Sequence, residues 1–448
     1  MTKRVLVISY LFPPTGNVGV LRTLRFIKWL PAFGWEPIVL TARNAKVQNL
    51  EPSLTEKVGA NVPVYRSYSF EALNSGKSIL GNGSNGQRSL LTRALYKVPT
   101  DLWNYCAVPD DKRGWVPFAI RTGTKVFHEH KFDAIYVSGK PFSSYFIGQA
   151  LSERFGVPWI MDLRDLWTLN RLRGPKNWLH ARLNPRLERR FIQSAATVVA
   201  NTPGNRRDFI RQYPDCPPEK FVAITNGYDK DDFAGLEFRK HEKFTIAYSG
   251  TFYFRRSQLM GETLYETYSP RLLLQAVSEL CAQDPTMRDR LQVLITGPGS
   301  DKIGGMVSEY GLEDVVKRLG WMEYRESLEV ISRSHVSLLV LSRGEESGGW
   351  IPSKLYQYLG AGSSILAACP EGDVANIVRE TKSGLVVPPD DLAAIKNAVA
   401  QMYDAYCRRR LDYDPQWELI ERYEGRNLTQ RLAECLDRTA SECPQPKL

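Results

Sequence analysis

Histidine is scarce in this 448-residue chain, with five in all, and none stands at zinc-ligand spacing from another histidine or a cysteine. The seven cysteines, at positions 106, 216, 281, 369, 407, 435 and 443, include no C-x-x-C pair, which argues against a disulfide framework and against a metal knot. No window approaches the ~18 uninterrupted apolar residues of a membrane span. Met1-Thr-Lys-Arg leads directly into the apolar segment Val5–Tyr10 rather than into a signal peptide, so a cytoplasmic protein is expected. The first strand is not followed by G-x-G-x-x-G, and no acidic residue follows the second, which runs into Thr41-Ala-Arg43; a dinucleotide cofactor is therefore not expected. No Ser/His/Asp nucleophile arrangement is legible. Aromatic RNP runs and zinc fingers are missing too, which argues against nucleic acid as a partner.

What is present is a basic, globular composition. Hydrophobic residues make up 43% and charged residues 24% of a chain carrying a net charge of +10, with a pI near 9.1. That charge implies attraction to polyanions, and without nucleic-acid signatures it fits lipid or nucleotide phosphates better. The length leaves room for two or three domains, each with its own core.

Short apolar runs alternate with helical patterns along the whole chain. In the C-terminal half, Phe244–Ser249, Leu291–Thr296, Val315–Leu319, Val336–Leu341, Ser364–Ala368 and Gly384–Val387 read as buried parallel strands. The segments Arg271–Ala282, Lys302–Tyr310, Tyr324–Ser332, Ser353–Ala361 and Val374–Thr381 carry apolar residues three or four apart and read as helices. The N-terminal half repeats the grammar, with strands at Val5–Ser9, Pro37–Thr41, Ala134–Val137, Trp159–Met161 and Thr197–Ala200 and helices near Leu21–Leu30, Ser143–Phe155 and Arg206–Gln212. The expected fold class is α/β, with two facing Rossmann-like, doubly wound parallel-sheet domains. Expected boundaries are 1–228, 229–410 and a C-terminal segment 411–448, whose helix Trp417–Asp437 packs back across the junction. The stretches Ala45–Gln87 and Ser257–Ser269 read as long irregular loops.

Several segments carry chemistry. Ile351–Ala367 reads as a helix start aimed at the sheet's carboxyl edge, with Pro352 in the first turn, Lys354 as a cation there and Gly362 closing the helix in a left-handed turn; the alternative is an ordinary crossover helix in a parallel sheet. Tyr248-Ser-Gly250-Thr251-Phe-Tyr-Phe-Arg255-Arg256 places glycine at the end of a first strand, followed by two arginines suited to bidentate phosphate contacts; the alternative is a pair of solvated loop charges. Gly16, Gly19 and Arg22 follow the first strand of the N-terminal half, where glycine permits close backbone approach to a ligand. Asp162, Arg164 and Asp165 lie just past a later strand end and either orient substrate or tie down the loop as an Arg164–Asp165 pair. The acidic groups Asp110–Asp111 and Asp229–Asp231 read as surface turns rather than metal ligands. Arg171–Arg190, with Trp178, Leu179, Leu183 and Leu187 among basic residues, either lies on an anionic bilayer or packs its leucines inward.

Taken in order, Val5–Thr41, Pro158–Trp167, Thr225–Asp229, Tyr248–Arg256, Gly320-Trp321 and Pro352–Ala367 resemble the family 4-type retaining glycosyltransferases of the two-Rossmann (GT-B) fold, over nearly the whole chain. The resemblance implies a nucleotide-sugar bound by the second domain and a lipid-linked or glycan acceptor bound by the first, with no cofactor and no metal. By matching position it implies Arg256 (or Arg255) and Lys354 as diphosphate ligands, with Gly250, Thr251, Gly297, Ser353, Leu355, Gln357 and Glu346 as donor-binding residues. Gly16, Gly19, Arg22, Asp162, Arg164 and Asp165 would line the acceptor side of the cleft. It also implies work on lipid-linked or polysaccharide acceptors at the inner face of the cell membrane.

The family's E-x7-E pattern is altered. Its second Glu is replaced by Gln357 and its first by Gly349, with Glu345 and Glu346 close by. Gln357 keeps one acceptor and one donor function but loses a carboxylate's charge-assisted strength. Two other readings therefore stand beside the transferase: a catalytically silent relative that binds nucleotide-sugar or scaffolds polysaccharide assembly, and a nucleotide-sugar epimerase or hydrolase on the same architecture.

Overall fold

A computed structural model of the chain describes residues 2–16, 18–43, 45, 50–70, 102–103, 105–170, 174–250, 269–341, 349–409 and 413–442. The chain forms two compact units, Met1–Thr225 with Thr429–Leu448, and Asn226–Leu428. Each is a parallel sheet covered by helices, the two-domain α/β architecture expected.

The first unit is built on seven strands: β1 (Lys3–Ser9), β2 (Trp35–Ala42), β3 (Val64–Ser67), β4 (Ala134–Gly139), β5 (Trp159–Leu163), β6 (Thr197–Ala200) and β7 (Phe221–Ala223), in the order β3-β2-β1-β4-β5-β6-β7 and parallel throughout. Val5, Leu6, Val7 and Ile8 are all fully buried, because helices cover both faces of such a sheet and the strand must be apolar on both sides. β3 and β7 were not among the expected strands. Both are short edge strands: β3 mixes polar and apolar residues and β7 is three residues long, so neither shows the longer apolar run that marks β1 or β4. Helices at Val18–Trp29, Val116–Glu129, Ser144–Phe155, Trp178–Ser194 and Pro203–Gln212 provide the cover.

The last helix, Gly425–Glu442, is tied to this unit. Lys3 Nζ and Trp35 Nε1 donate to Asp437 at 2.7 and 3.1 Å, Arg431 donates to the Ala223 carbonyl at 2.7 Å, and the Thr197 and Thr439 hydroxyls meet at 3.1 Å. One helix was expected over Trp417–Asp437; two are found, Trp417–Glu421 and Gly425–Glu442. The interruption has a local cause: the N–H of Tyr228 donates to Tyr423 O, and the N–H of Gly425 donates to Tyr228 O, at 3.1 and 2.8 Å, so residues 422–424 leave the helical path to pair with an extended segment.

The second unit holds β8 (Phe244–Ser249), β9 (Leu291–Thr296), β10 (Val316–Gly320), β11 (Val336–Val340), β12 (Ser364–Ala368) and β13 (Gly384–Val387), ordered β10-β9-β8-β11-β12-β13 and parallel. One face packs under Leu274, Leu280 and Val399, the other under Leu328, Leu355 and Ile377. The helix carrying Lys354 spans Lys354–Gly360, so Pro352 precedes it rather than sitting in its first turn. Gly362 has φ +62, and the N–H of Ser363 reaches back to Tyr358 O at 3.4 Å, the left-handed ending expected of it. Helix Leu392–Cys407 adds to the elements read from the sequence.

Candidate functional site

In an open parallel sheet, ligands bind beyond the strands' carboxyl ends where the strand order reverses. In the second unit that point lies between β8 and β11. β8 ends at Ser249, followed by Gly250 with φ +137; the neighbouring β9 ends at Thr296, followed by Gly297 with φ +123. The Gly250 N–H donates to Thr296 O at 2.9 Å and the Gly297 N–H to Gly320 O at 2.7 Å. A Cβ on Gly297 would stand 2.2 Å from Gly250 O, so two side-chain-free backbones lie against each other at this edge, in conformations only glycine adopts without strain.

Lys354, on the loop-to-helix corner after β11, reaches the same place. A Cβ on Gly250 would lie 2.8 Å from its Nζ, and Nζ sits 3.8 Å from the ring centroid of Tyr248. The lysine as a whole is half-buried, but its ammonium is packed against protein, and this desolvation lowers its pKa to about 7. No carboxylate pairs with it among the described residues. Because the helix that follows is only seven residues long, the side chain rather than the helix end supplies the positive charge.

The other expected donor residues fare unevenly. Gln357 and Ser353 are half-buried beside Lys354 on the same short element. Leu355 is a correction: its side chain is fully buried in the core and its N–H already donates to Pro352 O at 3.1 Å, so neither group is free for a ligand. Gly349 is buried. Thr251, Arg255, Arg256 and Glu346 lie outside the described residues.

In the first unit, Arg22 and Asp162 need correction as lining residues. They form a bidentate pair, Nε and NH2 donating to the two carboxylate oxygens at 2.9 Å each, and are 2% and 0% exposed. The remaining guanidinium bonds go to the carbonyls of Thr225 and Ile224 at 2.7 and 2.9 Å, while Tyr136 donates its hydroxyl to Asp162. Their polar groups are spent on each other, on Tyr136 and on the chain's exit from β7. The Arg164–Asp165 pair does not form either. Asp165 faces Lys140 Nζ at 3.6 Å, and the Arg164 guanidinium lies over Gly19, where a Cβ would come within 1.5 Å of it. Gly19 and Arg164 are thus brought together, with Lys140 and Asp165 beside Arg164 at the ends of β4 and β5. Gly16 is half-buried before the first helix. Asp110 and Asp229 cap turns, accepting from the N–H groups of Lys112 and Asp231 at 3.1 Å.

Residues 19–227 match the Glycosyl transferase 4-like domain, and residues 259–413 match Glycosyl transferases group 1. The chain belongs to the family 4-like glycosyltransferases. A curated relative, the D-inositol 3-phosphate glycosyltransferase of Geodermatophilus obscurus, is 26% identical over 274 residues, 57% of each protein, so the match spans little more than half of that relative. Among solved structures, sucrose-phosphate synthase from Thermosynechococcus elongatus superposes with a TM-score of 0.62 at 15% identity, over 98% of this chain and 100% of the other. Anabaena HepE in complex with UDP and glucose superposes with a TM-score of 0.60 at 14% identity, over 97% and 99%. Both show the GT-B fold.

Around these sites, sequence reasoning passed over Tyr248 and Lys140. The signal for Tyr248 was an aromatic two residues before the strand-ending glycine. Lys140 follows the apolar run of β4 directly, as Arg164 follows β5, and a strand-end position alone could have flagged it.

Proposed function

We propose that the chain is a retaining glycosyltransferase that moves a sugar from a nucleotide-sugar, without a metal ion, to a lipid-linked or polysaccharide acceptor. The observation that carries this reading is the Lys354 ammonium, desolvated beside Gly250 at the switch point with no carboxylate partner among the described residues. A cation so placed is costly until an anion joins it, and a sugar-linked diphosphate supplies that anion. The UDP and glucose held by the structurally similar HepE agree with this ligand class.

The proposed chemistry needs no protein base. The acceptor hydroxyl oxygen bonds to the sugar's anomeric carbon on the face the diphosphate leaves, the bond from that carbon to the phosphate oxygen breaks, and the hydroxyl proton passes to that leaving oxygen. Lys354 stabilises the negative charge that grows there, the kind of electrostatic contribution that is usually the largest in transfer reactions.

The reading extends to attachment on an anionic membrane at its cytoplasmic face. No helix among the described residues is long and apolar enough to cross a membrane. Helix Trp178–Ser194 half-buries Leu179, Leu183 and Leu187, with Leu187 packed on the core, so its apolar side is taken by its own unit. What remains for a bilayer is the exposed Arg182 and Arg186, with Trp178 at 64% exposure.

Gln357 and the buried Gly349 favour one second reading, a donor-binding relative without turnover. Calorimetry with UDP-, GDP- and ADP-sugars, followed by NMR of the product anomer, tests the pair. Binding with transfer in the donor's own configuration supports the first reading; binding without any turnover supports the second.

A further inference from the structure

We propose that Tyr248 is a positioning residue for Lys354: the face of its ring, in place of any carboxylate among the described residues, holds the ammonium beside Gly250 and leaves its charge available to an incoming diphosphate. This rests on the reading of Lys354 as the diphosphate ligand.

The geometry supports each part. Tyr248 is fully buried, and the 3.8 Å from Nζ to its ring centroid is well inside the ~6 Å over which a ring face attracts a cation. Carboxylate partners fix most buried lysines, but such a partner would cancel the charge and compete with the ligand. A ring face attracts the ammonium through its quadrupole and carries no net charge to compete. Gly250 completes the arrangement, since a side chain there would press on Nζ.

The two elements involved are also pinned to each other. Tyr358, one helical turn beyond Lys354 and fully buried, donates its hydroxyl to Leu338 O at 3.0 Å and accepts from the Ser249 N–H at 3.4 Å. The strand end that carries Tyr248 and the helix that carries Lys354 therefore keep a fixed separation, and the ring-to-ammonium distance follows from it.

The test replaces Tyr248 with phenylalanine and then with mono-, di- and trifluorinated phenylalanine in the full chain. These side chains keep the shape of the ring while fluorine progressively drains its negative face. The pKa of Lys354 is read by NMR of carbon-13-labelled lysine, its signal assigned by loss in Lys354→Arg, in the ligand-free protein and with inorganic pyrophosphate. The expected result is a near-native value for Tyr248→Phe and a stepwise fall of about one pKa unit across the fluorinated series. Pyrophosphate should raise the value in the unsubstituted protein. A flat series overturns the role of Tyr248, whatever pyrophosphate does. A graded series with no response to pyrophosphate overturns instead the reading of Lys354 as a diphosphate ligand, and with it the purpose assigned to the ring.

Discussion

Raising the pH should weaken donor binding through a single group, Lys354. Desolvation holds its pKa near 7 in the ligand-free protein, against an ordinary value of 10.5. A bound diphosphate favours the charged form. At an effective dielectric of ~20 and a separation of ~4 Å the attraction is about 4 kcal/mol, or roughly three pKa units, which returns the bound value to about 10. Below pH 7 the lysine is charged in both states and affinity should not depend on its titration. Above pH 7 the free protein must first take up a proton, so affinity falls about tenfold per unit and by about fiftyfold between pH 7 and 9. A nucleotide-sugar is the right probe because its diphosphate, esterified at both ends, does not titrate in this range. Isothermal titration calorimetry in buffers of different ionisation enthalpy reads both the affinity and the protons taken up, which should approach one per site at pH 8. Lys354→Arg, whose guanidinium stays charged throughout, should bind with a flat profile. A flat profile in the unsubstituted chain, or an equally steep one in Lys354→Arg, would rule out Lys354 as the titrating group.

Three further outcomes follow from other parts of the molecule. Asp162→Asn leaves Arg22 buried with its partner's charge gone and should cost about 3–5 kcal/mol in chemical denaturation; a loss below about 1 kcal/mol would mean the pair is not the fastening described. Gly297→Ala forces a Cβ onto the Gly250 carbonyl at φ +123 and should both destabilise the fold and abolish nucleotide binding, whereas Gly19→Ala meets only the movable end of Arg164 and should lower the melting temperature little. Glu188, fully buried, has its pKa raised to about 7 by desolvation, from an ordinary value of 4.5. The folded state therefore holds the proton longer than the unfolded one, and stability falls as pH rises from about 4.5 to 7. Relative to the unsubstituted chain, Glu188→Gln should gain about 3 kcal/mol between pH 4 and 8, and unfolding curves at both pH values that shift in parallel would count against it.

Much of this was legible in the chain, and the physical reasons for what was not are specific. Central parallel strands are buried on both faces, so β1, β8 and β12 announce themselves as apolar runs; the edge strand β3 is interrupted by Arg66 and Ser67, and β7 is only three residues long. Gly250, Gly297 and Lys354 could be placed at one sheet edge because each follows a legible strand. Arg22 and Asp162 stood in equally suggestive places, but they bond to each other across 140 residues, and no local pattern distinguishes a lysine or arginine awaiting a ligand from one already paired. The leucines of Trp178–Ser194 were readable as one helix face, yet the sequence could not say whether that face met lipid or the core. Tyr248 escaped notice for a related reason: an aromatic in a buried strand is ordinary packing until the ammonium above its ring is known.

The role proposed for Lys354 is to stabilise the diphosphate leaving from a nucleotide-sugar. Its most direct test is the release of nucleoside diphosphate from UDP-, GDP- and ADP-sugars by the unsubstituted chain and by Lys354→Ala, supplied with lipid-linked and glycan acceptors. Turnover of at least one donor is expected, with a loss of about a hundredfold or more in Lys354→Ala, the scale seen when one preorganised charge-stabilising group is removed. Turnover that survives the substitution nearly intact would contradict that role.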